Sequence, residues 1–354
     1  MKILLVRLRQ IGDVVFTTPT LAALARHFPS AHLTYLVEPA AAPVVAGNPH
    51  ISDVIVAPRQ SGLRGVRDDQ ALGRRLARAR FDVAIDFHGG PRASLLTWLS
   101  RAPRRIGYEV AGRSWMYTER VSRPRELRAR HSVENQWDLL TPLGIAPPTR
   151  ERNPVEMPLD AATAAAVRDR LAAHGVLNTS TVVVLHVSAG NPFRRWPLER
   201  FAQVAATLTE SGPDVRVVIT SGPSEAHAAQ RVIESARAQL SERSRNAVLA
   251  CGEFSLPELR ALAEIAALYI GGDSGPMHVA STSHVPMVSL YGPTLPARSA
   301  PWRSSAPAAS IEVSGLPCRP CDQRVCEPGD FRCLTRITPA EVIESAVRLL
   351  RRNG

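Results

Sequence analysis

The sequence predicts an α/β protein with two Rossmann-like parallel-sheet domains that face each other across a cleft. The first observation is a strand–turn–helix unit at the start of the chain, where the apolar run 3–6 leads into Gly12-Asp13 and a helical pattern. A second such unit follows far along the chain, where the apolar run 267–270 breaks into Gly271-Gly272. Between them strand-like runs alternate with helical ones, which favours parallel sheets. At 354 residues, the chain is long enough for roughly two domains.

Strand-like runs mark the elements in chain order. They fall at residues 3–6, 33–37, 54–56 and 83–86, and then at 182–186, 215–220, 248–250, 268–270 and 288–291. The first helix is predicted to begin at Thr17-Thr18, with Pro19 in its first turn. The stretch 143–158, which contains Pro147-Pro148, indicates a connection between domains. We therefore expect domains at 1–158 and 159–338, with a last helix in 339–354 as a candidate to pack back on the N-terminal domain.

The second glycine turn has the composition of an anion-binding pocket. Glycines let the backbone approach a ligand closely, and Asp273 or Ser274 can cap the helix that follows. Pro276 suits the first turn of that helix because it has no N–H to leave unbonded. The free N–H groups around Ser274 and Gly275 would then face a bound anion. The alternative is a capped strand-to-helix turn without a ligand, which recurs in α/β proteins.

Composition and charge describe a globular chain with a basic segment. Apolar residues make up 45% of the sequence, and no apolar run approaches the length that spans a bilayer. The first residues do not resemble a signal peptide because Arg7 ends a short apolar stretch, so we expect a cytoplasmic protein. Of the net charge of +11, residues 59–130 supply +10, from 17 arginines and 7 acidic residues. This segment either steers an anionic partner or is a solvated face. Nucleic acid is disfavoured as that partner because the segment has few aromatic residues and no recognisable binding module.

Five short motifs stand in order along nearly the whole chain. They are Gly12-Asp13 with Thr17-Thr18-Pro19, Arg105-Ile106-Gly107-Tyr108, His186-Val187-Ser188-Ala189-Gly190 leading to Arg194-Arg195-Trp196-Pro197, the loop 272–278, and a four-cysteine tail. Each motif alone is weak, but the five in this order are specific. Together they resemble glycosyltransferase family 9, the ADP-heptose:lipopolysaccharide heptosyltransferases. The resemblance implies a GT-B architecture, an inverting mechanism and catalysis without a metal.

Asp13 is the candidate catalytic base. Transfer of a sugar from a nucleoside diphosphate needs a base for the acceptor hydroxyl and positive groups for the pyrophosphate. Asp13 lies on a glycine-preceded turn at the end of the first strand, and the resemblance implies the role of base for this aspartate. The alternative is that Asp13 only caps the helix that follows.

Arg194 is the candidate pyrophosphate ligand, together with Ser188 and the N–H groups around Ser274 and Gly275. The family pattern has a lysine at the position of Arg194, whereas this chain holds 42 arginines and a single lysine. Because arginine presents a planar fork and not a point charge, its donor geometry differs from that of lysine. Arg195 is then expected at the surface or behind the site.

Three further residues complete the candidate donor site. Asp273 would cap its loop or contact the sugar or ribose, and His278, one helical turn later, could face the phosphates. The alternative for His278 is a structural hydrogen bond. Glu225 follows the strand 215–220 and could accept hydrogen bonds from ribose hydroxyls, as a nucleoside site requires. Its alternative is a glutamate in a first helical turn, where the helix dipole favours it.

Four cysteines form a separate cluster in a proline-rich loop. They are spaced C-x2-C-x4-C-x6-C, at Cys318, Cys321, Cys326 and Cys333. Such spacing is typical of a structural zinc or iron–sulfur site. Reduced thiols or local disulfides are the alternatives.

The sequence therefore predicts an inverting glycosyltransferase that moves heptose from ADP-heptose to the inner core of lipopolysaccharide and requires no cofactor for catalysis. Its predicted partners are the ADP-heptose donor, an anionic lipopolysaccharide-core acceptor and the inner membrane surface, where the protein would be peripheral. One alternative is a nucleotide-sugar 2-epimerase-like enzyme on the same fold, which would need a second acid/base pair near the sugar. The other is a non-catalytic nucleotide-binding regulator, against which Asp13 and the arginine pair argue.

Overall fold

The computed structural model describes residues 1–122, 130–304 and 306–352. The chain divides into two compact units, Met1–Pro158 and Leu159–Gly354. Each unit contains one six-stranded sheet. Every strand pair in both sheets is parallel. The predicted α/β class with two parallel sheets is confirmed.

The first unit alternates strands and helices from its start. Its elements are β1 (Lys2–Val6), α1 (Ile11–His27), β2 (His32–Val37), α2 (Ala42–Val45), β3 (Asp53–Val56), α3 (Gly62–Ala79), β4 (Val83–Asp86), α4 (Pro91–Leu99), β5 (Arg104–Tyr108), β6 (Glu119–Val121) and α5 (Ser132–Trp137). The strand order is β3-β2-β1-β4-β5-β6. Most of β1 and all of β4 are buried, as expected for parallel strands with helices on both faces.

The second unit repeats this arrangement. Its elements are α6 (Ala161–Ala173), β7 (Thr181–His186), α7 (Leu198–Thr209), β8 (Val215–Thr220), α8 (Ala226–Ala238), β9 (Val248–Leu249), α9 (Leu256–Ile265), β10 (Leu268–Gly272), α10 (Gly275–Ala280), β11 (Met287–Tyr291), α11 (Pro296–Ser299), β12 (Ala308–Glu312), α12 (Arg332–Thr335) and α13 (Pro339–Arg351). The strand order is β12-β11-β10-β7-β8-β9. Counted from the start of each unit, both sheets therefore have the order 3-2-1-4-5-6.

This strand order fixes where each unit can bind a ligand. The chain reverses direction across the sheet between β1 and β4 in the first unit, and between β7 and β10 in the second. In open α/β sheets ligands bind beyond the carboxyl ends of the strands at this point. Asp13, in the first turn of α1, follows β1, and Asp273 follows β10, so the topology brings both to such positions.

Three strands were not predicted from the sequence: β5, β6 and β12. The first begins with two arginines, the second has three residues, and the third carries alternating exposed residues. Since β6 and β12 lie at sheet edges, neither needs the continuous apolar run that identifies a buried strand.

Helix α1 begins earlier than predicted. It starts at Ile11, so Pro19 lies inside the helix and not in its first turn. A proline removes one backbone N–H, which leaves the carbonyl of Val15 without its helical donor. The hydroxyl of Thr18 donates to that carbonyl at 2.8 Å and replaces the missing bond. The Thr-Pro pair therefore maintains the helix where it was expected to begin it.

The last helix, α13, packs against the second unit, and the expectation that it packs back on the first unit stays a prediction. Its residues Val342, Ala346 and Leu349 are buried in the same apolar core as α7 and the strands of the second sheet. The spacing of these residues places them on one face of a helix, and that face is used by the core of its own unit. Among the described helices of the chain, none is long and apolar enough to cross a bilayer.

Gly107 allows the ring of Tyr117 to lie against β5, since a Cβ added at Gly107 would overlap that ring. We expect Gly107→Ala to reduce the free energy of unfolding by about 1–3 kcal/mol, the usual cost of overpacking a core. Urea unfolding of the variant measures this loss. The control is Gly212→Ala, where the nearest atom, Val215 Cγ2, would be at an ordinary 3.5 Å. Equal stabilities of the two variants would contradict the assignment.

Candidate active site

The carboxyl ends of β7 and β10 lie side by side, with His186 paired to Gly271. The segment after β7 carries Ser188, Arg194 and Arg195, and the segment after β10 carries Asp273 to His278. The fold therefore brings together predicted site residues that are about 80 positions apart in sequence. It does so at the strand reversal of the second sheet, where a ligand site is expected.

Asp273 is a buried carboxylate with several polar contacts. It is only 2% exposed. The hydroxyl of Thr294 donates to its Oδ2 at 2.6 Å, and His278 Nε2 lies 3.3 Å from Oδ1. Arg194 Nη1 donates to its main-chain oxygen at 3.1 Å and lies 3.4 Å from Oδ2. Burial raises the pKa of Asp273, but the contacts with His278, Arg194 and Thr294 lower it by more. The net result is a pKa of about 2, below the ordinary value. The group is therefore an anion that holds Arg194 and His278 in place.

Neither Asp273 nor Ser274 caps α10 with its side chain, which corrects the prediction from the sequence. Ser274 occupies the N-cap position, but its side chain makes no cap bond. Its hydroxyl oxygen is buried and has no hydrogen-bond partner in the part of the chain that the structure describes. A buried hydroxyl without a partner costs free energy and indicates a group that a ligand can satisfy. Helix α10 begins at Gly275, with Pro276 in its first turn as predicted.

Gly272 explains why the segment carrying Arg194 can lie so close to β10. A Cβ at Gly272 would lie 3.2 Å from the main-chain oxygen of Arg194, which is closer than most Cβ contacts in proteins. Glycine at this position therefore permits the close approach of two backbones.

The two neighbouring arginines point to different partners. Arg194 ends a 3-10 helix, Pro192–Arg194, and contacts Asp273, with 29% of its side chain exposed. Arg195 donates from Nε to the carbonyl of Ala189 at 2.9 Å and pairs through Nη2 with Glu225 at 2.7 Å. Arg194 is thus the arginine at the glycine turn, and Arg195 contacts Glu225 on the segment after β8.

Ser188 links the segments after β7 and β8. Its Oγ accepts from the main-chain N–H of Gly222 at 2.7 Å and lies 3.1 Å from His186 Nε2. His186 Nδ1 lies 3.0 Å from the hydroxyl of Thr220. Burial lowers the pKa of His186 to about 4, so the ring is neutral at pH 7 and can accept from Ser188 while donating to Thr220. The side chain of Ser188 is therefore engaged in holding two loops together.

Asp13 lies in the first turn of α1, beyond the end of β1. Its carboxylate pairs with the guanidinium of Arg7, and 34% of its side chain is exposed. Arg7 also donates from Nη1 to the carbonyl of Phe87 at 2.5 Å, beyond the end of β4. Gln10 occupies the N-cap position, and no side chain caps the helix. Asp13 is therefore oriented by Arg7 and is partly open to solvent, and it does not cap α1.

A second buried carboxylate, Asp86, was missed from the sequence. It ends β4 and accepts from the hydroxyl of Tyr117 at 2.6 Å and from the N–H groups of His88 and Gly89 at 2.8 and 2.9 Å. Burial raises the pKa of Asp86, while these hydrogen bonds oppose that effect. Asp86 shapes the loop beside Arg7 and Asp13. An aspartate that ends a buried strand before two glycines was the available signal.

The four cysteines line one cavity of about 300 Å³, and all four are free thiols. Burial raises the pKa of Cys333, which favours the protonated thiol. In the described ranges, no group of three or more His, Cys, Asp or Glu side chains has a geometry that could hold a metal ion. The residues as placed do not fit the zinc or iron–sulfur site predicted from their spacing, because a shared cavity does not bring the sulfur atoms into ligand geometry.

Comparison with known proteins gives consistent results. The model of the family described as glycosyltransferase family 9 (heptosyltransferase) matches residues 70–329. Lipopolysaccharide heptosyltransferase 3 of Escherichia coli is 27% identical over 306 residues, which cover 83% of this chain and 84% of that protein.

Two solved structures extend the comparison to the whole fold. A glycosyl transferase family 9 protein from Veillonella parvula superposes with a TM-score of 0.83 at 26% identity, over 99% of this chain and 97% of the other. The E. coli heptosyltransferase WaaC with ADP-2-deoxy-2-fluoro heptose superposes with a TM-score of 0.71 at 18% identity, over all of both chains. The likeness to such structures confirms the GT-B fold class.

The buried His186 predicts a loss of stability in mild acid. Its pKa is about 4 in the folded chain against the ordinary 6.5, so below pH 6.5 only the unfolded chain takes up the proton. Stability is therefore lost as the pH falls from 6.5 to 4, by about 2–3 kcal/mol at pH 4.5. Urea unfolding at pH 7 and 4.5 measures this loss against that of His186→Gln, which cannot titrate. The same pH dependence in both proteins would exclude His186 as the cause.

Proposed function

The chain belongs to glycosyltransferase family 9, the heptosyltransferases, and from this premise we propose that it transfers heptose from ADP-heptose to the inner core of lipopolysaccharide with inversion at the sugar carbon. The observation that carries the proposal is the meeting of Arg194, Asp273 and His278 at the glycine turn after β10. WaaC, whose structure holds an ADP-heptose analogue, and the lipopolysaccharide heptosyltransferase of E. coli support this choice of donor and acceptor.

The pyrophosphate of the donor binds beside Arg194 in this proposal. The contacts of Arg194 use Nε and Nη1, and its Nη2 has no hydrogen-bond partner among the described residues. The buried hydroxyl of Ser274 and the N–H groups at the start of α10, from Gly275 onward, supply further donors. Together they form the set of charge-assisted and main-chain donors that suits a diphosphate. His278 contributes through Asp273, which it helps to keep anionic.

The nucleoside binds at the segment after β8. Glu225 is the proposed acceptor for the ribose hydroxyls, and its Oε1 is held by Arg195 at 2.7 Å. Ser188 supports this segment through the N–H of Gly222. Arg195 and Ser188 therefore act by orienting the nucleoside segment, and Arg194 acts on the phosphates.

Asp13 is the proposed general base. Its carboxylate is 34% exposed, so an acceptor hydroxyl can reach it, and Arg7 fixes its direction. In the reaction, Asp13 takes the proton of the acceptor hydroxyl, whose oxygen forms a bond to the anomeric carbon of heptose. The bond from that carbon to the phosphate oxygen breaks, and its electron pair leaves with ADP, whose added charge Arg194 stabilises. A single displacement of this kind inverts the configuration at the anomeric carbon.

Replacing Asp13 by asparagine tests the proposed base. We expect Asp13→Asn to bind ADP normally but to lower kcat by about a hundredfold or more, because the proton acceptor is lost. Initial rates with ADP-heptose and acceptor, beside calorimetry with ADP, measure the two effects. The matched control is Asp53→Asn, an exposed aspartate at the start of β3, which should retain full activity. Near-normal turnover by Asp13→Asn would remove Asp13 from the mechanism.

The acceptor side of the proposal concerns the arginine-rich segment 59–130. Part of its charge is neutralised internally: Arg92 pairs with Glu38 and Asp69, and Arg104 pairs with Glu119. The arginines at 123, 125 and 128 lie outside the described residues. The charge that remains at the surface is concentrated on α3, where the side chains of residues 64, 67, 74, 75 and 78 are exposed. These side chains can attract the anionic acceptor.

Peripheral association with an anionic membrane is supported by two exposed tryptophans in the first unit. Trp98 and Trp115 are 40% and 58% exposed, and their rings pack edge to face with centroids 5.6 Å apart. Tryptophan favours the boundary between lipid headgroups and acyl chains, and the basic side chains Arg101 and Arg113 lie nearby in sequence. A lipid acceptor in the inner membrane would be met on this side of the protein.

Salt should distinguish the two substrates. Exposed charges are screened over about 8–10 Å at physiological ionic strength, whereas groups that enclose a pyrophosphate are screened less. We therefore expect raised salt to increase the KM for acceptor and to leave the KM for donor nearly unchanged. Initial rates in a salt series, with each substrate varied in turn, measure both constants.

A double variant supplies the control for this series. Arg64→Gln with Arg67→Gln should raise the KM for acceptor at low salt and flatten its salt dependence, while Arg243→Gln in the second unit should change neither. If salt shifts the two KM values in parallel, the arginine segment has no part in acceptor binding.

A further inference from the structure

The loop that carries the four cysteines also contacts Arg194. Gln323 lies between Cys321 and Cys326, and its φ of +61° places it in the left-handed region. Its side-chain Oε1 accepts a hydrogen bond from Arg194 Nε at 2.8 Å and another from Asn191 Nδ2 at 2.8 Å. Both donors belong to the segment after β7, about 130 positions earlier in the sequence. We propose that Gln323 is a positioning residue that fixes Arg194 for the donor pyrophosphate.

The geometry of these contacts determines how Arg194 is presented. A guanidinium is planar, so contacts that fix two of its nitrogens also set the direction of the third nitrogen. Gln323 holds Nε, and Asp273 holds Nη1 through its main-chain oxygen at 3.1 Å. The remaining Nη2 is then directed without further rotation of the side chain. Because a free arginine side chain loses considerable entropy when it is ordered, this arrangement removes part of the cost of binding an anion.

Asn191 orients the side chain of Gln323, the hydrogen-bond acceptor of Arg194 Nε. Its Oδ1 accepts from the main-chain N–H of Phe193 at 3.0 Å, which leaves Nδ2 directed at Gln323. The oxygen of Gln323 therefore receives two donors, and its amide is oriented by the same 3-10 helix that carries Arg194.

The loop is itself anchored to the end of β11, next to Asp273. Arg319 donates to the carbonyl of Thr294 at 2.6 Å, and the N–H of Cys321 donates to the carbonyl of Pro293 at 3.2 Å. The hydroxyl of Thr294 in turn donates to Asp273. Gln323 and Asp273 thus reach Arg194 from one connected support. The four-cysteine loop therefore contacts the proposed donor site through protein hydrogen bonds, without a metal.

This inference rests on the role proposed for Arg194, so its test separates the two. Calorimetry with ADP compares the wild-type protein with Gln323→Met, Arg194→Ala and the double variant. Methionine keeps the length and volume of glutamine but has no strong acceptor. Arg194→Ala should weaken ADP binding by about 10- to 100-fold, the range for a lost charge-assisted hydrogen bond. Gln323→Met should weaken it by about three- to tenfold, and by less than about twofold when Arg194 is already alanine.

Kinetics supply the readout that a purely structural role would not move. Gln323→Met should raise the KM for the donor by the same factor as the Kd for ADP and leave the KM for the acceptor unchanged. Arg324→Ala, one residue away with 85% of its side chain exposed, is the matched control and should change neither constant. Far-ultraviolet circular dichroism and the unfolding midpoint show whether each variant is folded.

Three outcomes would overturn the inference. If Arg194→Ala weakens ADP binding but Gln323→Met does not, the positioning role fails and the proposed function stands. If Gln323→Met weakens binding equally with and without Arg194, the residue acts on the ligand or the loop and not through Arg194. If Arg194→Ala binds ADP normally, the roles proposed for both residues fail.

Discussion

The ionised carboxylate of Asp273 is the group on which the proposed donor site depends. A charge this deeply buried is stable only when its partners offset the loss of hydration, and removal of one partner typically costs 3–5 kcal/mol. Its partners come from α10, from the end of β11 and from the segment after β7, through His278, Thr294 and Arg194. One carboxylate therefore fixes three segments of the second unit relative to the glycine turn.

The presence of arginine and not lysine at position 194 has a structural consequence. A lysine ammonium is a single compact donor group. A guanidinium can donate from two of its nitrogens to neighbouring protein groups and still have the third nitrogen available for a ligand. Arg194 does this with Gln323 at Nε and Asp273 at Nη1. The four-cysteine loop, whose thiols do not form a metal site among the described residues, thereby contacts the proposed donor site through Gln323.

The first unit uses the same principle at its own strand reversal. Arg7 joins the carboxylate of Asp13, after β1, to the carbonyl of Phe87, after β4. Asp86 orders the neighbouring loop. The hydroxyl of Tyr117, whose ring lies against Gly107, donates a hydrogen bond to Asp86. Gly107 of the Arg-Ile-Gly-Tyr motif is therefore needed for the packing of Tyr117 against β5. In both units an arginine spans the two central strand ends and directs a carboxylate or is directed by one.

The sequence by itself determined the parallel α/β class, most of the buried strands and the residues at the two glycine turns, because apolar runs and turn residues are local signals. Only the tertiary structure decided the partners of those residues. The contacts of Arg194 with Gln323, of Arg195 with Glu225 and of α13 with its own unit join positions that no local pattern relates. The same limit explains the cysteines: their spacing suggested a metal, but ligand geometry depends on how the backbone folds around them.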